Sequence, residues 1–165
     1  MNIEIREMRD SDWNAVASIY REGIATGDAT FQLDVPAWEE WNHDHLKSCR
    51  LVASINNEVV GWAALTPVSG RCVYAGVAEV SVYVSASFRG NNIGTQLLEK
   101  LIEVSEQINL WTLQAGIFPE NSASIKIHET LGFRKVGLRE KIGKMNGIWR
   151  DTLLFERRSL VAGSN

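Results

Sequence analysis

The chain's 165 residues carry a net charge of −3 and 45% hydrophobic side chains, the balance of one domain, residues 1–165 with a core of about 3–158, able to bury about two thirds of its extended-chain surface. Charge is spread without a long run of one sign, so no basic face marks a nucleic-acid partner, and no apolar run reaches the ~20 residues of a membrane span. Cys49 and Cys72 form no C-x-x-C pair and the amino terminus lacks a signal-peptide apolar region, which predicts a reduced, cytoplasmic setting without a disulfide framework.

Ile3 and Ile5 alternate with polar residues as a first strand. Asp10 or Ser11 can cap a helix whose buried face is Trp13, Val16, Ala17, Tyr20 and Ile24, and Gly27-Asp28 ends it. Residues 29–36 read as a loop with Phe31 as its aromatic. Pro36 then opens a second helix to about residue 47. His43 and His45 on that helix stand at i, i+2 and point apart with no third ligand nearby, so they read as solvated residues and no metal site is expected. Residues 51–55 and 59–65 form a hairpin across Asn56-Asn57, and 74–84 a longer strand weakened at Gly76.

Ile93, Leu97, Leu98, Leu101 and Ile102 give the next helix an apolar face. A strand over 110–117 follows, then a helix capped by Ser122 and ended by Gly132. Residues 136–143 and 148–157 pair across Asn146-Gly147, the strongest hairpin signal in the chain. The order β-α-α-β-β-β-α-β-α-β-β predicts an α/β layer architecture.

Chemistry concentrates at one junction. Glu79-Val80-Ser81-Val82-Tyr83-Val84 is a β-branched strand bearing a carboxylate, and Arg89-Gly90-Asn91-Asn92-Ile93-Gly94-Thr95 leads from it into the third helix. Arginine, glycines and a helix N-terminus at one point suit a phosphate group. A plain strand-to-helix turn has the same composition. The loop is not a P-loop, since the Lys-Ser/Thr is missing, nor a dinucleotide fingerprint, since the glycine spacing is wrong.

The strand and loop together resemble the acetyl-CoA motif of the GCN5-related N-acetyltransferases, and Asn121-Ser122-Ala123-Ser124-Ile125-Lys126-Ile127-His128-Glu129-Thr130-Leu131-Gly132-Phe133 resembles that family's second block. With Gly147-Ile148-Trp149-Arg150-Asp151, the chain is most similar to phosphinothricin acetyltransferases. The resemblance implies a single-domain α/β fold with a mixed, mostly antiparallel sheet, splayed central strands and about four flanking helices. It also implies acetyl-CoA as co-substrate. The backbone around Val82, Tyr83 and Val84 would hold the pantetheine arm, amides of Arg89, Gly90, Asn91, Asn92, Ile93, Gly94 and Thr95 the pyrophosphate, and Asn121 and Ser124 further parts of the cofactor. Asn92 stands where the family usually has glycine, and asparagine is the best substitute at positive φ.

By the same resemblance Glu79 is the general base. An amine of pKa about 8 is only ~10% neutral at pH 7, so a proton acceptor beside it raises the reactive fraction. A solvent-facing or backbone-satisfied strand carboxylate is the alternative. His128 falls where relatives carry a tyrosine near the departing sulfur; it reads as a proton donor or orienting group, or as a helix histidine bonded to a carbonyl. Phe31, Arg71, Tyr74, Glu79 and Trp149 are the candidate acceptor contacts. Ala75 and Ile148 stand where phosphinothricin-type enzymes usually have arginines for the acceptor's carboxylate, so the identity of the amine is open. The expected activity is direct acetyl transfer to the primary amine of an amino acid or analogue such as phosphinothricin or methionine sulfone or sulfoximine, in a homodimer. Acetylation of a protein N-terminus and a non-catalytic CoA sensor are the other readings.

Overall fold

In the computed structural model, which describes residues 1–164, the chain runs β1 (Glu4–Glu7), α1 (Trp13–Ala25), α2 (Trp38–Asp44), β2 (Leu51–Ile55), β3 (Glu58–Pro67), β4 (Val77–Val84), α3 (Ile93–Gln107), β5 (Thr112–Ile117), α4 (Ser122–Thr130), β6 (Arg134–Met145) and β7 (Ile148–Arg158). The order of elements is the one read from the sequence. The strands make one sheet in the order β1-β2-β3-β4-β5-β7-β6, antiparallel except where β4 meets β5.

Alternation along the strands sorts their side chains onto two faces. Val80 and Val82 of β4, Leu113, Ala115 and Ile117 of β5 and Leu153 and Phe155 of β7 face α3 and α4, where Leu97, Leu98 and Leu101 are fully buried. Each such side chain stabilises the fold by about 1.5–3 kcal/mol. The opposite face carries Trp62 and Tyr83, packed against Val16, Ile19 and Tyr20 of α1 and Trp41 of α2. Both hairpins turn on consecutive positive-φ residues, Asn56 (50°) and Asn57 (67°), and Asn146 (51°) and Gly147 (80°), as two-residue turns matched to strand twist require.

Several boundaries differ from the sequence expectation, four of them for a visible reason. The strand expected from Tyr74 begins at Val77, because residues 72–74 form a 3₁₀ turn and the Gly76 carbonyl accepts from both Trp111 N (2.8 Å) and Thr112 N (3.1 Å). For the same reason the strand expected from Leu110 begins at Thr112. α2 stops at Asp44, short of residue 47, because the Arg50 guanidinium collects the carbonyls of Asn42 (2.9 Å), His45 (3.1 Å) and Leu46 (2.7 Å) over the Trp41 ring. His45 is therefore not solvated: it stacks 4.0 Å from Trp41 and its Nδ1 is 2.8 Å from the Trp41 carbonyl. The cap of α4 is Asn121, whose side-chain oxygen accepts from Ser124 N at 3.2 Å, and not Ser122.

The feature that matters for function is where β4 and β5 part. Their parallel pairing covers only Val77↔Thr112, Ala78↔Leu113 and Glu79↔Gln114, while β4 continues to Val84 and stays paired with β3 as far as Gly61↔Val84. Beyond Glu79 the two strands splay, and that edge of β4 faces a gap.

The splay is set at its closed end by the indole of Trp111 lying flat against Gly76, where an added methyl would collide with the ring. Gly76→Ala is expected to cost about 1–3 kcal/mol, read as a lower urea midpoint at unchanged slope.

Candidate active site

The loop after β4 is built to leave amides free. Gly90 (φ 83°) and Asn92 (φ 65°) turn the backbone left-handed, and Asn91 braces the loop by donating from Nδ2 to the Phe88 carbonyl at 2.9 Å. The sequence departure at Asn92 is thus accommodated, since the residue adopts the positive φ that a glycine would. α3 has no side-chain cap and no acidic residue in its first turn. Among the described residues, the N–H groups of residues 89–95 find no acceptor; the first amide of the segment to do so is Gln96, bonded to the Asn92 carbonyl at 3.2 Å. A fifteen-residue helix whose first amides are unsatisfied presents partial positive charge to an anion. Gly94 lets α4 approach: a methyl there would lie 3.2 Å from Ile127 Cδ1.

Val82 and Val84 are half-buried and pack toward α3 and α4. Tyr83 points the other way, stacked on Trp62 with ring centroids 4.9 Å apart and pressed against Gly23, so only its backbone is offered to the gap. Burial pushes its hydroxyl pKa far up. Trp62 itself is core, 1% exposed.

Glu79 stands at the apex of the splay, on the α1 face. Its carboxylate leans over Gly116 of β5, whose Cα hydrogens leave it room: an added methyl would sit 3.7 Å from Oε1. Burial raises its pKa above the ordinary carboxylate range, and the Gln114 side chain and the positive charge of Arg139 act in the opposite direction. A carboxylate with raised basicity at the apex of a gap is suited to accept a proton.

His128 is 5% exposed. Its Nδ1 is 2.7 Å from the Ser124 carbonyl, its ring meets Phe133 edge-on, and Nε2 is buried without a partner. Burial lowers its pKa, against the raising effect of the Ser124 carbonyl. The bond to that carbonyl commits the proton to Nδ1, so Nε2 offers a lone pair. Asn121 caps α4 and donates from Nδ2 to the Asp28 carbonyl at 3.2 Å, with one amide hydrogen and one oxygen lone pair still uncommitted.

The candidate acceptor residues do not converge. Phe31 meets Phe118 edge-on at 4.9 Å and presses on Gly143. Arg71 and Tyr74 pair with one another, guanidinium over ring at 5.5 Å, in the turn before Val77. Trp149 lies past Leu153, the partner of Ile117, with Lys144 over its ring. Val77 and Ile117 mark opposite ends of the pairing with β5, so Arg71 and Tyr74 sit at the end of the sheet away from Phe31 and Trp149. Ala75 and Ile148 are both exposed.

Sequence reasoning missed Gln114 and Arg139. Gln114 is level with Glu79 only because β5 pairs with β4 in parallel, and Arg139 reaches the same face from β6, opposite Thr152, two strands beyond β5. No local pattern reports either juxtaposition. Among the described residues no three His, Cys, Asp or Glu side chains come together as metal ligands, and no helix is long and apolar enough to cross a membrane.

Comparison with known proteins agrees with this geometry. The sequence profile of the Acetyltransferase (GNAT) family matches residues 7–133. A phosphinothricin N-acetyltransferase of Alcaligenes faecalis is 31% identical over 93% of this chain and 81% of its own length. An L-methionine sulfoximine/L-methionine sulfone acetyltransferase of Pseudomonas aeruginosa is 31% identical over 94% of both. Among solved structures, the phosphinothricin acetyltransferase of Sinorhizobium meliloti in complex with AcCoA superposes with a TM-score of 0.88 at 26% identity, covering 100% of this chain and 92% of that one.

The raised pKa of Glu79 has a signed consequence for stability. The folded state disfavours the ionised form, so the carboxylate costs stability above its folded pKa and nothing below its unfolded value of about 4.3. Glu79→Gln is therefore expected to melt higher than the parent at pH 8, with the gain shrinking as pH falls toward 4. A gain that instead grew on acidification would contradict the burial of this group.

Proposed function

The chain belongs to the GNAT family of acetyltransferases, and on that premise we propose that it transfers the acetyl group of acetyl-CoA to the primary amine of a small amino acid or amino-acid analogue. The observation that carries this reading is the placement of Glu79 at the apex of the β4–β5 gap, with an uncapped helix N-terminus at the gap's wide end. The pyrophosphate of acetyl-CoA docks on the amides of residues 89–95, and the pantetheine arm lies along the free edge of β4 at Val82 to Val84 as an added strand. Its thioester then reaches the apex. The amine attacks the thioester carbonyl, the C–N bond forms, the C–S bond breaks, and the amine's proton passes to Glu79 directly or through water while the thiolate takes one up. Cys49 and Cys72 lie on other elements, so transfer needs no acetyl-enzyme.

His128 is assigned an orienting role within α4. With Nδ1–H held by the Ser124 carbonyl and a lowered pKa, it is neutral near pH 7 and has no proton to give at Nε2. The acceptor is an amino acid or analogue of the kind named in the relatives. Its carboxylate is served by Arg139, the cation whose charge bears on Glu79, in place of arginines at 75 and 148. Phe31 closes the chamber, while Arg71, Tyr74 and Trp149 lie outside it within one chain. The protein is cytoplasmic in this reading, in keeping with two free cysteines.

A homodimer completes the proposal. Val136, Leu138, Ile142, Ile148 and Trp149 on the β6–β7 hairpin are all exposed, large apolar side chains of the kind that association covers. Light scattering behind size exclusion is expected to give twice the 18.4 kDa of the chain, and charge placed at Leu138 and Ile142 is expected to halve it. A monomeric parent chain would refute the dimer.

The transferase reading is tested by thiol release from acetyl-CoA with a panel of amino acids and their analogues. Glu79→Gln is expected to lower kcat/KM about 10²–10⁴-fold with acetyl-CoA affinity retained, and the parent's acid limb is expected above the ordinary carboxylate range. A kcat/KM unchanged between pH 6 and 9 in Glu79→Gln would remove the base. Tight CoA binding with no amine-dependent release would leave a sensor.

A further inference from the structure

The segment joining α1 to α2 runs from beside Tyr83 of β4 to Arg150 of β7, where it is fastened. On the β4 side Thr30 lies against the hydroxyls of Tyr20 and Tyr83, and Gln32 against that of Tyr20. On the far side Arg150 of β7 donates from one guanidinium nitrogen to the Gly27 carbonyl at 2.9 Å. From the other it donates to the Asp28 carboxylate at 2.9 Å and to Glu120 at 3.3 Å. The same guanidinium lies 4.0 Å above the Phe118 ring. Asn121 adds its bond to the Asp28 carbonyl, and Phe31 wedges between Phe118 and Gly143, where a methyl would meet the ring at 2.8 Å.

These contacts are unusual in what they hold. Residues 27–34 have no regular secondary structure, Phe31 is 36% exposed, and residues 32–34 are exposed around it. The strap thus buries little apolar area of its own, and a polar clamp sets its position. The clamp is an arginine whose side chain is only 15% exposed, and a planar fork that binds a carbonyl, a carboxylate and a ring face together cannot be replaced by lysine.

We infer that Arg150 is a positioning residue for the acceptor amine: through Gly27 and Asp28 it fixes residues 27–32 as a roof across the gap, closing over the face on which Glu79 stands. The inference rests on the transferase reading for the nature of the bound amine. It accounts for an exposed loop being tied at five points, and for the commitment of Arg150 to the chain itself and not to a substrate anion. Among the described residues no hydrogen bond joins the roof to residues 89–95, so its loosening reaches the acceptor and spares the cofactor.

The test compares Arg150→Met, Arg150→Lys and the milder surface variant Asp28→Asn, with thermal melts to confirm folding. Hydrogen exchange in the absence of any amine is expected to show residues 27–32 exchanging about tenfold faster or more in Arg150→Met, with the α3 amides unchanged. With the best amine of the panel, Arg150→Met is expected to raise acceptor KM about tenfold to a hundredfold. Its kcat and acetyl-CoA affinity should stay within about threefold, with Arg150→Lys and Asp28→Asn intermediate. Unchanged exchange at 27–32 in all three variants overturns the proposal, as does an unchanged acceptor KM, or a loss of acetyl-CoA affinity equal to that of the amine. A parent chain that acetylates no amine defeats the transferase reading alone, and the exchange comparison still decides the clamp.

Discussion

Everything in this molecule depends on β4 and β5 ceasing to pair after Glu79 and Gln114. Two parallel strands normally keep their ladder for as long as both run, because an unpaired backbone edge left without water or a partner is costly. Here β4 runs five residues further with β3 alone as partner. At the closed end the Gly76 carbonyl takes both Trp111 N and Thr112 N, and β5 is held on its other side by β7 along its whole length. The open edge of β4 is a strand-shaped vacancy in a finished sheet, and an extended, amide-bearing ligand fits it by the same hydrogen bonds that a neighbouring strand would make.

The parting also organises the electrostatics. α3 starts from the loop that leaves β4, so its uncapped N-terminus points its unsatisfied amides to the wide end of the gap, while the one carboxylate of β4 sits at the narrow end. An anion is attracted at one end and a proton at the other, some strand residues apart. Neither arrangement favours the folded state by itself: a missing cap typically forgoes about 1 kcal/mol, and burial holds the Glu79 carboxylate away from its preferred ionisation. Such local losses at sites of binding and catalysis are offset by the core under α3, where Leu97, Leu98 and Leu101 are wholly buried.

What could be read from the sequence was what is local. Asn146-Gly147 announces its turn because two positive φ angles in a row admit few residue types, and Asn92 announces its own left-handed backbone for the same reason. The helix faces of α1 and α3 follow from spacing alone. The boundaries at Tyr74 and Leu110 were misplaced because one carbonyl, that of Gly76, takes two amides from a segment far along the chain. The same limit applied to the site. Glu79 and the loop at 89–95 lie on one continuous stretch and are legible together, whereas Gln114, Arg139 and the strap at 27–32 come from three other segments whose meeting is decided by the fold. Arg71 and Tyr74 shared a stretch with Glu79, and strand direction carries them to the wrong end of the sheet.

Asn121 is where the two substrates' halves of the site become one frame. Its side-chain oxygen holds the first turn of α4, which packs against α3 through Ile127 and Gly94 and so backs the cofactor loop. Its side-chain nitrogen holds the Asp28 carbonyl, and so the strap over the acceptor side. Arg150 makes the parallel link from β7 through Glu120, the residue before Asn121. The seat of α4 against α3 does not depend on the strap, so loosening the strap leaves the cofactor loop in place. Each bridge is held by short polar contacts, an amide bonded at both its ends and a guanidinium bonded on three sides. The half made of α3, α4 and β4 is the one already packed into the core, and the strap is the part that depends on polar bridges.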